Sequence, residues 1–223
     1  MNTVKYTMSH TENIDIETIK EKCEFGENRA YILIAVARSK LNEEITNNSQ
    51  ITYRKVITNE KSIEETIPDL WALMNQHDLR WRIYLTVNAR NTIDGYFNFR
   101  EEMNSWVRDL MNGDENTKEK FGKVSSYWKS ALHNPKSSED QYFQFDLDNI
   151  DNQECQTFIE SLPAQDGSTV EDASDSVFKY VQKTPNGFHV ITEPFNYTVF
   201  ESPIEYDDLD TDGQVFIAEF DNQ

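Results

Sequence analysis

Two short segments carry residues whose types and spacing could do chemistry. The first is "YFQFDLDN", residues 142–149, where Asp146 and Asp148 lie two apart in an otherwise aromatic and apolar run. Alternate residues of a β-strand point to the same side, so both carboxylates share one face of a sheet. Two carboxylates that close resist joint ionisation, and a divalent cation removes the conflict. Such sites drive phosphoryl and nucleotidyl transfer. The second segment is "KTPNGFHVIT", residues 183–192. A tight Asn186-Gly187 turn there exposes backbone N–H groups, and His189 adds a donor; together they suit a phosphate. Lys183 opens the segment with a cation. Taken singly, each segment has an ordinary explanation. Two Asp on an edge strand can simply face water, and a lone His among apolar residues can sit in the core bonded to a carbonyl.

A third pattern competes for the acids near the C-terminus. "DLDTDGQVFIAE", residues 208–219, fits a calcium-binding loop: Asp208, Asp210, Asp212 and Gly213, with Val215 at the apolar eighth place and Glu219 at the twelfth. Against calcium, such a loop needs an exiting helix, whereas "QVFIAEF" is good strand material. As a strand it would join the sheet of the aspartate pair and bring Glu219, or else Asp221, near it.

The elements that must position these residues follow from periodicity and punctuation. "RAYILIAVARSK" (29–40) reads as a central strand and "ITYRKVI" (51–57) as its hairpin partner. A helix is expected over 62–77, opened by Ser62 and Glu65, with Pro68 as a conflict inside it. "RWRIYLTVNAR" (80–90) is another strand, followed by helices over 92–112 and 115–132. The aspartate strand leads to a helix around 151–162, a polar loop (163–175), a hairpin of "SVFKYVQK" and "GFHVIT", and the last strand, 214–220. Residues 1–15 read as a loose polar tail. The expectation is an α+β fold of one domain spanning 1–223, with a mostly antiparallel sheet, flanking helices and an N-terminal α/β module.

Composition narrows the function classes. The chain of 223 residues has 13 Phe, 10 Tyr and 4 Trp to fill a core, and no apolar run near the length of a membrane span. The N-terminus lacks a basic region followed by an apolar core, so no secretory signal is expected. Cys23 and Cys155 have no CxxC spacing, and with only four His a zinc site is not expected; a cytoplasmic, reduced setting is. Charge is divided unevenly. Residues 1–136 hold 19 Lys and Arg against 20 Asp and Glu, while residues 137–223 hold 2 against 20. An acidic surface of that kind repels nucleic acid unless metal ions or a basic groove intervene. It also suits an acidic interaction protein that mimics the charge of DNA and occupies the groove of a replication or DNA-binding partner.

In order and spacing, "WRIYLTVNAR", a helix, "YFQFDLDN" and "TPNGFHVIT" resemble the archaeo-eukaryotic primase superfamily, especially its viral and plasmid primase-polymerase branch. The resemblance covers roughly residues 80–193. It implies an RNA-recognition-like sheet carrying a divalent-ion nucleotidyltransferase site that uses Mg²⁺ or Mn²⁺, nucleoside triphosphates and single-stranded or primed nucleic acid. On the matching positions, Asp146 and Asp148 would bind the catalytic ions with Glu219 as the third acid. His189 would contact the nucleotide's phosphates, with Gly187 in the small position of that motif and Asn186 and Lys183 beside it. Arg80, Arg82 and Arg90, on or beside the neighbouring strand, are expected to contact nucleic acid.

Overall fold

The computed structural model describes residues 14–45, 49–164, 176–206 and 208–221. Nearly all of the expected tail, and most of the polar loop 163–175, lie outside the described residues. In chain order the elements are α1 (Ile16–Lys22), β1 (Arg29–Arg38), β2 (Gln50–Ile57), α2 (Glu60–Met74), β3 (Arg80–Thr86), β4 (Arg90–Asn91), α3 (Thr92–Met111), α4 (Lys118–Phe121), α5 (Val124–His133), β5 (Phe143–Asp148), α6 (Asn152–Ser161), β6 (Phe178–Lys183), β7 (Gly187–Thr192), β8 (Asp208–Asp210) and β9 (Gln214–Asp221). The fold is α+β, and every strand pair is antiparallel.

Two helix expectations change. α2 begins two residues early because Asn59 is its N-cap: the Ser62 N–H donates to Asn59 Oδ1 at 2.9 Å, and Ser62 Oγ accepts from the Asn59 N–H at 3.1 Å. Ser62 is therefore the far half of the capping box rather than its start. The helix expected over 115–132 is broken into a 3-10 turn, α4 and α5, with Gly122 ending α4.

The strands form two sheets, ordered β2-β1-β3-β9, with β4 also paired to β1, and β6-β7-β5-β8. In the first sheet, the odd residues of β1 (Tyr31, Leu33, Ala35, Ala37) join Ile63, Ile67, Leu70 and Met74 of α2 in the main core. The even residues (Ala30, Ile32, Ile34, Val36) meet Leu132 and Trp128 of α5. In the second sheet, Phe145, Leu147 and Val190 pack on Cys155 and Phe158 of α6. The opposite face of β5 and β7 carries Gln144, Asp146, Asp148 and His189. That is how a buried strand carries two carboxylates: its apolar residues face α6 and its acids face the first sheet.

The last strand departs from expectation. β9 does not join the aspartate strand's sheet; it pairs with β3, with Arg82 opposite Glu219 and Trp81 opposite Phe220. Val215, Ala218 and Phe220 belong to the main core, which holds β9 there. The short β8 takes the edge beside β5 instead. Fully buried Asn88 ties the sheets together. Its Oδ1 accepts from the Tyr142 N–H at 2.8 Å, and its Nδ2 donates to the carbonyls of Tyr142 (3.2 Å) and Thr211 (3.1 Å). No helix of the described residues is long and apolar enough to cross a membrane.

Candidate functional site

A cleft of ≈ 480 Å³ opens between the two sheets, within the range of small-molecule sites. One wall is the polar face of the second sheet. Antiparallel pairing sets Asp146 directly opposite His189 and Asp148 opposite Gly187. The His189 Nε2 lies 3.6 Å from Asp146 Oδ1. On its other side, Nδ1 accepts the Phe216 N–H at 3.2 Å. Burial lowers the imidazole's pKa to about 4, so at neutral pH it is uncharged. A neutral ring that accepts at Nδ1 carries its proton on Nε2. That N–H is turned toward Asp146, at a spacing too long for a hydrogen bond.

The turn before His189 joins β6 and β7 as a hairpin, as expected, but its N–H groups are not left open for a phosphate, because Thr184 Oγ1 takes those of both Asn186 and Gly187. Neither Asn186 nor Gly187 has a positive φ. The turn is closed by the Thr184 N–H donating to the Gly187 carbonyl at 2.9 Å, while Thr184 Oγ1 accepts the Gly187 N–H at 2.9 Å. Gly187 is needed for another reason: a Cβ there would lie 1.9 Å from the Leu147 carbonyl oxygen. The left-handed residue is Asn149, at φ 60°, which turns the chain away just after Asp148 and donates its N–H to the Asn186 carbonyl at 2.8 Å.

The opposite wall is cationic and aromatic. Arg38 and Lys40, at and beyond the end of β1, line it with Arg82 and Tyr84 of β3 and Phe216 of β9. Tyr84 and Phe216 meet edge to face at 6.0 Å. Asp210, opposite Gln144 in the β5–β8 register, also lines the cleft. Sequence reasoning missed Arg38 and Lys40, which look like the solvated end of an apolar strand. It placed Asp210 only in a calcium loop.

Several expected site residues fall elsewhere. Glu219 is held by arginines: Oε1 accepts from Arg80 Nε at 2.7 Å and from Arg80 Nη2, and Oε2 accepts from Arg82 Nε at 2.6 Å. Asp221 lies exposed at the far end of β9, opposite Arg80. Lys183 pairs with Phe188, on the face opposite that of His189, and is exposed. Arg90 is fully buried. Its Nη1 reaches Asp212 Oδ1 at 2.8 Å, Asp212 Oδ2 at 3.0 Å and Ser138 Oγ at 3.1 Å, so it braces the framework and offers nothing to a nucleic acid. The calcium-loop geometry is not formed either. Asp208–Asp210 is a strand, Asp212 is bound by Arg90, Val215 is buried in β9, and Glu219 is bound by Arg80 and Arg82.

A divalent ion fits the cleft only in one style. Among the described residues no group of three or more His, Cys, Asp or Glu is disposed to hold a metal. Asp146 and Asp148 are nevertheless the one or two carboxylates with which Mg²⁺ is commonly held, its other positions going to water and phosphate oxygens. The cleft therefore offers two carboxylates on one strand, a neutral N–H donor beside them, and cationic side chains across the gap. No protein-family model, curated protein or solved structure matches this chain.

Proposed function

We propose that the protein is a divalent-ion-dependent nucleotidyltransferase of the primase-polymerase kind, joining nucleotides to a nucleic-acid end or priming synthesis. The observation that carries this reading is the register of β5 and β7, which sets Asp146 opposite His189 and Asp148 opposite Gly187, with both aspartates and His189 in one cleft. Strand order supports it. The order β6-β7-β5-β8, with the first and third strands of the unit central and α6 between the first and second, is similar to an RNA-recognition-like sheet, although a 3-10 turn (Tyr197–Val199) stands where such a sheet has its second helix. The N-terminal module would then be α1, β1, β2 and α2, its strands sharing their sheet with β3 and β9. In this reading Asp146 and Asp148 hold Mg²⁺ or Mn²⁺, which would activate the attacking hydroxyl and screen the triphosphate. His189 donates Nε2–H to a phosphate oxygen, and being neutral it takes no proton from the carboxylates. Arg38, Lys40 and Arg82 attract the phosphates from the facing wall.

The test is extension of a labelled oligonucleotide with Mn²⁺ and nucleoside triphosphates, comparing wild type with Asp146→Asn/Asp148→Asn. The double variant keeps the shape of the site and removes its charge. Extension by wild type that the double variant loses is the expected result. Equal extension by both, or none by either on DNA and RNA substrates, would return the chain to the acidic interaction protein.

A further inference from the structure

Helix α3 turns Gly95, Phe99 and Trp106 into the protein and leaves its other side in solvent. Along that outer side Ile93, Phe97, Arg100, Asn104, Val107 and Met111 recur at alternating spacings of four and three residues. This is the spacing of a coiled-coil seam. Four of the six are apolar and left open: Ile93 is 47%, Phe97 45%, Val107 46% and Met111 83% exposed. Tyr96, 53% exposed, flanks the seam and packs edge-on against Phe97 at 5.9 Å. Isolated surface hydrophobics need no explanation, but a row of them in seam register on a 20-residue helix does.

We propose that α3 pairs with α3 of a second copy of this chain, antiparallel about a two-fold axis near Glu102. The charges beside the seam select that occupant and that direction. In an antiparallel pair, Ile93 layers on Met111 of the second copy, Phe97 on Val107, and Arg100 on Asn104, and each layer recurs by symmetry. On one flank Asp94 then faces Arg108 of the second copy, twice over. Tyr96 faces Leu110 on the other flank, also twice. The two Glu101 meet at the axis, where the two Arg100 lie beside them; the Arg100 guanidinium already rests on the Phe97 ring, 4.9 Å from its centre. A parallel pair in register would set Arg100 against Arg100 and leave both Asp94 and Arg108 without an opposite charge. A single pair of helices about 30 Å long makes a small interface, so the dimer dissociates at micromolar concentrations or above.

The test is sedimentation equilibrium of the full chain over roughly 1–500 µM, a span that brackets weak association. Wild type is expected to shift from monomer to dimer with concentration. Phe97→Glu is expected to be monomeric throughout, as are Asp94→Arg and Arg108→Asp. The double exchange Asp94→Arg/Arg108→Asp is expected to restore the dimer. All of these positions are exposed, so circular dichroism and the melting midpoint should stay near wild type. Should Phe97→Glu lose the fold, Val107→Glu at the other end of the seam makes the same comparison. A wild-type monomer at every concentration, a dimer indifferent to Phe97→Glu, or a folded double exchange that stays monomeric would each overturn the proposal. So would a monomer that binds phosphatidylcholine–phosphatidylserine vesicles through Phe97, which would assign the seam to a lipid surface.

Discussion

Adding one methyl group at Gly187 should cost more stability than at any other glycine the cleft uses. A Cβ there meets Leu147 O at 1.9 Å, Leu147 C at 3.0 Å and Asp148 Cα at 3.1 Å. All three are backbone atoms of the paired strand, so no rotamer relieves them. Restoring an ordinary 3.4 Å contact requires β5 and β7 to part by 1.5 Å at that point. A ladder bond stretched that far is lost. Two such bonds at about 1 kcal/mol each, with about 1–3 kcal/mol of overpacking strain, make Gly187→Ala cost about 3–5 kcal/mol. For a chain of this size that lowers the melting midpoint by about 10 °C. The same displacement pulls Asp148 and His189 out of register, so metal-dependent activity should fall with it. Thermal and urea unfolding against two other glycines make the measurement specific. Gly122→Ala meets only Glu119 O at 3.4 Å and should be neutral or slightly stabilising. Gly213→Ala meets Gln144 Oε1 at 2.4 Å and the Gln144 Cβ and Cδ at 2.8 Å; the amide end can rotate away while the Cβ must shift by a few tenths of an ångström, so the cost should fall between the two. A Gly187→Ala protein within about 1 kcal/mol of wild type would show that the strands are not held as closely as the register requires.

Acid should weaken the fold through its histidines. His189 and His133 are both lowered to about 4, His189 by burial and His133 by burial together with Arg90 and Arg54. The unfolded chain therefore binds their protons first, and the stability each supplies above pH 6.5 is lost as pH falls toward 4. His189→Gln should reduce the loss between pH 7 and pH 4 by roughly 2–3 kcal/mol, read from urea midpoints across that range. An unchanged pH profile would mean that His189 is already charged in the folded protein. Arg90→Met should cost about 3–5 kcal/mol, because it strands Asp212 in a half-buried position, whereas Arg80→Met, at a more exposed ion pair shared with Arg82, should cost under about 1 kcal/mol. Unfolding free energies of the two variants decide it, and equal costs would refute the assigned roles.

Most single elements were legible in the sequence because their signals are local. Alternation in "FQFDLD" placed Asp146 and Asp148 on one face, and the apolar residues between them found α6. The partner of a strand is a different matter, since it is settled by which core has room for its apolar side. "QVFIAEF" reads equally well as an edge of either sheet; Val215, Ala218 and Phe220 fit the core under β3, and that decided it. Helix starts failed for a smaller reason. Ser62 and Glu65 match a capping box as well as Asn59 and Ser62 do, and only the backbone before Glu60 tells them apart. The cleft's cationic wall was hidden because Arg38 and Lys40 come from the end of β1 and the turn after it, more than a hundred residues before the acids they face.

The placement of β9 also decides which acids remain for a cation. Arg80 and Arg82 are two apart on β3, so both guanidinium groups rise on one face beside Glu219, and its two oxygens serve one each. A metal ion would have to displace two fixed positive charges to use that carboxylate, which Coulomb repulsion opposes before geometry is considered. Asp210 carries no such obstacle. It sits on the strand beside β5, lines the same cleft as Asp146 and Asp148, and its Oδ1 accepts a backbone N–H, from Asp212 at 2.8 Å. Among the described residues, however, Asp210 does not close a three-acid group with them, so Asp146 and Asp148 are the acids left for a cation in the proposed reading. Glu219→Gln leaves Arg80 and Arg82 without their anion and should act on stability alone, so Mn²⁺ binding that Asp146→Asn/Asp148→Asn abolishes should survive it; an Mn²⁺ affinity lowered by Glu219→Gln would refute this assignment.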